Sequence, residues 1–478
     1  MSLLDTGRLI IAAFITSVVT FRFIACNRDG SDRGKERWRP VFDPLYLATI
    51  VPMVFAASLL LDTVMLQNVG SSLAEVVLTT AVYFALLLPV LPLLRRHFST
   101  RACAMLWLLP NVLYFVFYEH MNHSEPLFVL PIRVSFGWLL WVWLGGTVLV
   151  LAWKLAEHIR FRRALLRNAH APDEETLTVF QGVREEMEEE SALKEPLPLL
   201  LSPQTSTPLS IGLTRKTLRV MLPERNYTPD ELRLIFRHEL IHIARRDAGT
   251  KLFLVLCTAV MWFNPLMWIA MRRCADDLEL GCDEFVLLDE PEDARSLYAG
   301  LLLKTAGDER GFTTCLSATA EALRYRLENI LRPKKKLLGG LLLGLVTLSL
   351  IAFSGTIAFA FAPQRLDEAI SLGAEEIEWY YYPDSDYTVP ASDGAPIWEV
   401  LRGCEVYRLS GNYRPDADFW FHGNTDGKSI ELHCSGHYVF VEIRLYEKGK
   451  GYGRDLLKSC FVFTEEPDWD ALLAKNAG

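Results

Sequence analysis

FRHELIHIARRD, residues 236–247, holds two histidines four positions apart with a glutamate beside the first. On a helix, residues four apart lie one above the other on one face, so His238 and His242 can offer both imidazoles to a single metal. Glu239 is then placed to take a proton from a metal-bound water, whose pKa a zinc ion lowers to about 7. The lead-in, YTPDELRLIF, supports a helix start at this point. Thr228 caps it, Pro229 suits the first helical position, and Glu231 completes a Thr-x-x-Glu capping box. Leu232, Ile235, Phe236, Leu240 and Ile243 recur at helical spacing.

A catalytic zinc needs three protein ligands and one open position. Downstream, RRCADDLELGCDEFVLL (272–288) places Glu279 and Asp283 one helical turn apart. Glu279 is the expected third ligand. Asp283 is expected to hydrogen-bond a ligand histidine and fix its tautomer. Read alone, the acidic residues of this stretch would be a solvated face; the histidine motif gives them another use.

The rest of the chain bears on where such a site sits. Of 478 residues, 51% are hydrophobic, more than a soluble enzyme needs, and the formal charge is −9. That balance argues against direct binding to nucleic acid, which needs a basic surface. Crossing a bilayer takes roughly 20 mostly apolar residues. Candidate spans cover 9–24, 45–61, 73–94, 102–118, 134–155 and 337–362. The first could also be a cleaved signal segment, or end in a lipoprotein-like box at Cys26. The basic run 27–40 directly after it argues for a span, because positive charge resists export.

The loops alternate in charge. Stretches 27–40, 95–101 and 154–167 are basic, whereas 62–72 and 119–126 carry no Lys or Arg. The positive-inside rule then puts the N-terminus outside, residues after about 154 in the cytoplasm, and the tail from about 363 outside again. RPKKK (332–336) agrees with this orientation. The apolar stretch 252–271 is flanked by basic residues at both ends and broken at Asn264-Pro265. It reads either as a hairpin that dips into the membrane and returns or as a buried core helix. Arg233, Arg237, Arg245, Arg246 and Asp247 crowd the histidine motif, so the site is expected beside the membrane rather than within it.

The ligand pattern resembles the gluzincin class of metallopeptidases, and the order of segments resembles the BlaR/MecR family of membrane antirepressors. The match runs over about 200–335. It is carried by TPLSIGLTRKTLRVMLP (207–223), similar to the family's edge strand, and then by RHELIHIARRD, WFNPLMWIAMRR, ELGCDEFVL, SLYAGLLLKTA (296–306) and LRYRLENIL (323–331). The resemblance implies His238, His242 and Glu279 as ligands of Zn2+ and Glu239 as catalytic acid/base. It also implies self-cleavage within about 306–336, and loss of a winged-helix repressor from DNA as the outcome. A homodimer is implied by resemblance alone.

The implied fold is an α-helical multi-span membrane protein of the bacterial plasma membrane. An α+β zinc protease domain is inserted on the cytoplasmic side, and a small β-rich domain follows outside. The expected boundaries are 1–160, 161–335, 336–362 for the final span, and 363–478. The β-lactam sensors of the family carry a large penicillin-binding domain. The tail here holds neither Ser-x-x-Lys nor Lys-Thr-Gly, and Ser191-Ala-Leu-Lys194 lies in the acidic cytoplasmic segment. Sensing by acylation is therefore not expected, and the activating ligand outside is unknown.

Four tail segments, 406–409, 418–422, 430–434 and 438–446, alternate or are β-rich, with glycine-bearing turns between them, and read as a small antiparallel domain. EWYYYPDSDYTVP (378–390) could line a ligand surface or simply pack a core. His422, His433 and His437 do not make a convincing metal set. Cys404, Cys434 and Cys460 allow one disulfide if the tail is outside, with no basis for choosing the pair. Two rival roles stand beside the antirepressor. One is a housekeeping membrane protease resembling the HtpX/Ste24 group, which shares the ligand pattern. The other is a non-catalytic receptor that keeps zinc for structure, against which Glu239 argues.

Overall fold

The computed structural model describes residues 3–27, 63–110, 113, 125–134, 136–187, 197–214, 216–287, 290–306, 320–332, 336–370, 377–382, 392–411, 413–425, 427–447 and 451–476. The expected span at 45–61, the basic run 28–40 and the Ser191–Lys194 stretch lie outside the described residues. So does most of 109–124, which includes the end of the span expected at 102–118.

The first half is helical: α1 (Leu3–Asn27), α2 (Thr63–His97) and α3 (Thr100–Leu108) precede a short strand β1 (Phe128–Ile132) and the long α4 (Phe136–Arg167). Residues 74–97 and 138–167 are long and apolar enough to cross a bilayer; the apolar helices at 9–25 and 340–353 are shorter. Phe14 and Phe21 on α1, Leu86 and Leu93 on α2, and Trp138, Trp141 and Leu149 on α4 are large apolar side chains left exposed. An exposed apolar band of this size is what a lipid-facing surface presents.

Next come α5 (Glu174–Glu186), β2 (Leu199–Ser202), β3 (Leu209–Ile211), β4 (Arg219–Pro223), α6 (Pro229–Ala244), α7 (Asp247–Val260), α8 (Pro265–Val286), α9 (Glu292–Ala306) and α10 (Ala320–Leu331). The three strands form a sheet in the order β2-β4-β3. The strand that ends in Leu-Pro before α6 is therefore the middle one. The open edge belongs to β3, since residue 170 closes the far side of β2. One core packs this sheet against α5, α6, the end of α8 and α9, with Phe180, Phe236, Leu240, Phe285 and Tyr298 buried in it.

The apolar stretch 252–271 is a helical hairpin, α7 and the start of α8, and its break falls at Asn264-Pro265. Asn264 caps α8, accepting a hydrogen bond from the Leu266 N–H, and Pro265 occupies the first turn, where a missing N–H costs nothing. Its core partners are the membrane-half helices: Phe253, Cys257, Met267 and Cys274 pack with Phe23, Phe84, Leu91 and Trp107. At the hairpin tip, a Cβ on Gly146 would overlap the Trp262 indole. Trp143 of α4 donates to the Val260 carbonyl at 2.7 Å.

The expected final span does not form one helix. α11 covers Gly340–Phe353, 14 residues, or about 21 Å of rise, short of the roughly 30 Å hydrocarbon layer. Gly355, at φ 78°, ends it, and IAFAFA then runs as strand β5 (Ile357–Arg365). Mean hydropathy reads both parts as one apolar run; the aromatic alternation after the glycine distinguishes the second.

β5 enters the second sheet, which continues through β6 (Glu378–Tyr382), β7 (Ser392–Asp393), β8 (Glu405–Leu409), β9 (Phe419–Thr425), β10 (Lys428–Ser435), β11 (Tyr438–Glu447) and β12 (Gly451–Phe463). Its order is β1-β5-β8-β12-β11-β10-β9-β6-β7, with nine strands. Every pairing is antiparallel except β1 with β5. The tail is thus not a closed antiparallel unit: its sheet takes an edge strand from the first 160 residues. Trp379 and Tyr381 face its core, beside Phe419, Phe421 and Val441. Cys404, Cys434 and Cys460 are all free, with Cys434 and Cys460 in different core clusters.

Candidate active site

α6 starts as its sequence requires. The Thr228 side chain accepts from the Glu231 N–H and the Glu231 carboxylate accepts from the Thr228 N–H, closing the capping box, with Pro229 inside the first turn. The helix buries Leu232, Ile235, Phe236, Leu240 and Ile243. That leaves the adjoining stripe, about a quarter-turn round the helix, to carry His238 and His242 toward the side chain of Glu279 on α8.

The three side chains converge. His238 Nε2 and His242 Nε2 are 3.0 Å apart. Glu279 Oε2 lies 3.5 Å from the first and 3.4 Å from the second. A tetrahedral zinc with bonds of about 2.0–2.2 Å separates its ligand atoms by roughly 3.4 Å. These donors therefore fit such an ion without rearrangement. Lys251 of α7 donates to the other carboxylate oxygen, Oε1, at 3.3 Å, leaving Oε2 for the imidazoles. Glu239 is buried on the same helix, at 5% exposure.

Each imidazole is oriented through its second nitrogen. His242 Nδ1 is 2.7 Å from Asp247 Oδ2. His238 Nδ1 is 2.8 Å from the Tyr298 hydroxyl, which itself donates to Asp283 Oδ1 at 2.7 Å. Tyr298 has one proton and spends it on Asp283, so its oxygen accepts from His238 Nδ1–H. Both Nδ1 atoms are thus engaged by a neighbouring oxygen, and both Nε2 atoms face Glu279. Asp283 lies 3.7 Å from His238 and acts on it through Tyr298 rather than by the direct bond expected from the sequence. Arg326 of α10 closes two fork bonds on Asp283, each 2.7 Å.

Charge in the pocket is mutually arranged. Burial opposes protonation of His238, but the Cys282 thiol and the Glu279 carboxylate outweigh it and raise the imidazole to about 10. Burial likewise works against a charged Glu279, yet His242 and Lys251 hold its carboxyl well below the usual range. Cys282 is a further donor within 4.8 Å of the histidine ligand atoms. Its thiol hydrogen points to the His238 carbonyl oxygen, 3.5 Å away.

The structure thus brings His238, His242 and Glu279 together, with Glu239 beside them and Asp283 one residue further out. Sequence reasoning missed Asp247, Lys251, Tyr298 and Arg326. Asp247 stood in the quoted motif but was read only as local charge. Tyr298 and Arg326 sat in segments used for their order along the chain.

Residues 118–330 match the family model described as BlaR1 peptidase M56. The regulatory protein BlaR1 of Bacillus licheniformis is 24% identical over 185 residues, 39% of this chain and 30% of that protein. The matched region therefore spans about a third of the length of this curated relative.

Proposed function

We propose, from the match of residues 118–330 to the BlaR1 peptidase M56 model, that the chain is a membrane-bound zinc endopeptidase serving as a signal-transducing antirepressor. One observation carries the reading. Two imidazole Nε2 atoms and one carboxylate oxygen lie 3.0–3.5 Å apart, and each ring's Nδ1 is taken up by a neighbouring oxygen, so that Nε2 is the atom turned to the site.

His238, His242 and Glu279 would hold the zinc. When bound, it would supply Lewis acidity and a water of pKa near 7. The Glu239 carboxylate would take a proton from the attacking water and return it to the departing amine. Asp247, and Tyr298 with Asp283, would keep the ligand rings fixed while this happens. A substrate strand would pair with the open edge of β3, which lies against α6.

In this reading the tail sheet lies outside the cell and receives the signal. Cleavage within 306–336 cuts the covalent link from the protease core to α11 and that sheet, and a winged-helix repressor is the downstream target. This stretch begins at the end of α9 and contains α10, and these two helices flank the site through Tyr298 and Arg326. The rival housekeeping role rests on the shared ligand pattern alone. The continuity of the tail sheet with β1 fits a sensor better.

The test is fragment mapping. Full-length protein in lipid nanodiscs, given zinc, should yield two fragments whose new terminus, read by mass spectrometry, falls within 306–336, and 1,10-phenanthroline should suppress them. Cleavage elsewhere, or cleavage indifferent to the chelator, would overturn the reading.

A further inference from the structure

We propose that Arg95 and Trp107, from the membrane half, are positioning residues for the metal ligand Glu279. This rests on the metal-site reading above and adds to it a part of the chain far from the histidine motif. Asp277 is two residues before Glu279 on α8. Residues two apart on a helix point to nearly opposite sides. Glu279 turns toward α6 and its histidines, while Asp277 turns toward the membrane helices, where it is fully buried.

There it meets two partners from different helices. Arg95, in the last turn of α2, pairs with Oδ1 at 2.8 Å. The Trp107 indole of α3 donates to Oδ2 at 2.7 Å. One carboxylate oxygen is thus hydrogen-bonded and the other faces a guanidinium in a close ion pair. Leaving a buried carboxylate without such partners is strongly unfavourable, so α8 can rotate or slide only if Arg95 and Trp107 move with it. Any such movement displaces Glu279 relative to His238 and His242, whose positions are set separately by α6.

Further contacts dock the same face of α8. Thr100 donates to Glu284 at 2.5 Å, and the Arg101 guanidinium sits over the Phe285 ring at 3.7 Å. These lie beyond Glu279 along the helix and provide a control for docking without the Asp277 contact.

The far end of α2 touches the other sheet. Ala74 packs with Phe361 of β5, and Glu75 lies against Gly411 just after β8. Between Glu75 and Arg95 run 20 residues, roughly 30 Å of helix. Pro89 and Pro92 interrupt that helix just before Arg95, and proline is where helices bend. One helix thus connects the tail sheet to the residue that holds the zinc-ligand helix.

Cobalt is the probe, because its visible absorption reports the ligand geometry directly. Full-length protein in nanodiscs would be titrated with Co(II) as wild type and as Glu279→Ala, Arg95→Ala, Arg95→Lys, Trp107→Phe and Thr100→Val. The expected result is a tenfold or greater loss of affinity, with an altered absorption band, for Arg95→Ala and Trp107→Phe, as outer-shell groups typically give. Arg95→Lys should restore the band, and Thr100→Val should match wild type. Trp107→Phe keeps the ring in the core and guards against simple misfolding, which helical circular dichroism would check. If wild type binds cobalt and Glu279→Ala does not, yet Arg95→Ala and Trp107→Phe keep the wild-type band and affinity, the positioning role is wrong while the metal site stands. If wild type and Glu279→Ala behave alike, the metal reading fails and this inference fails with it.

Discussion

The Tyr298 hydroxyl lies 2.8 Å from His238 Nδ1 and donates its own hydrogen bond to Asp283. This bridge sets which nitrogen of His238 is free to ligate. Tyr298→Phe removes it while leaving the Asp283–Arg326 pair in place. Zinc affinity should fall about 10–100-fold, measured by competition with a chromophoric chelator, with little change in helical content.

Arg326 is the charge partner of a nearly fully buried carboxylate. Arg326→Met strands Asp283 without it, and breaking a buried pair from one side costs about 3–5 kcal/mol. Thermal denaturation should show that loss. The double variant Asp283→Asn with Arg326→Met should recover much of it, because the stranded charge is gone.

Thr228→Ala opens the capping box at the start of α6. The cost should be about 1 kcal/mol, read as a lower melting temperature with zinc affinity near wild type. The box also carries a pH signature. Burial works against a charged Glu231, but the Thr228 N–H and Lys304 outweigh it and lower its carboxyl. A depressed folded pKa means the contribution is complete above the unfolded value and is lost as pH falls through the folded one. The stability gap between wild type and Glu231→Gln, which removes that carboxylate, should therefore shrink below about pH 4, near the ordinary glutamate pKa.

Metal removal should destabilise the peptidase core, because an ion that binds only the folded state adds stability by mass action, about 2.7 kcal/mol at a hundredfold excess over Kd. Chelator should lower the melting transition of wild type and leave that of Glu279→Ala unchanged. Equal shifts in both would place the bound metal elsewhere.

How far the sequence could be read follows from what each feature depends on. The helix that carries both histidines was legible in full, down to its capping box, because caps and i,i+4 pairs are local. The tail strands at 405–409, 419–425, 428–435 and 438–447 were legible from alternation. The approach of Glu279 to the two histidines needed only a helix and a spacing. Three things were not legible. Gly355 splits the last apolar run because its backbone takes a positive φ, which hydropathy does not register. The pairing of β1 with β5 joins residues over 200 apart in sequence, and neither strand announces its partner. Tyr298 stands between His238 and Asp283 by virtue of the packing of α9, so a Glu-x-x-x-Asp spacing alone suggested a direct bond that the fold does not make.

The central claim is that Glu239 performs proton transfer at a zinc held by His238, His242 and Glu279. The most direct measurement compares wild type with Glu239→Ala, purified full length in nanodiscs. Zinc content and self-cleavage should be followed in the same samples. The account predicts one zinc per chain in both proteins and fragments from wild type alone. Fragments from Glu239→Ala at the wild-type rate would contradict it.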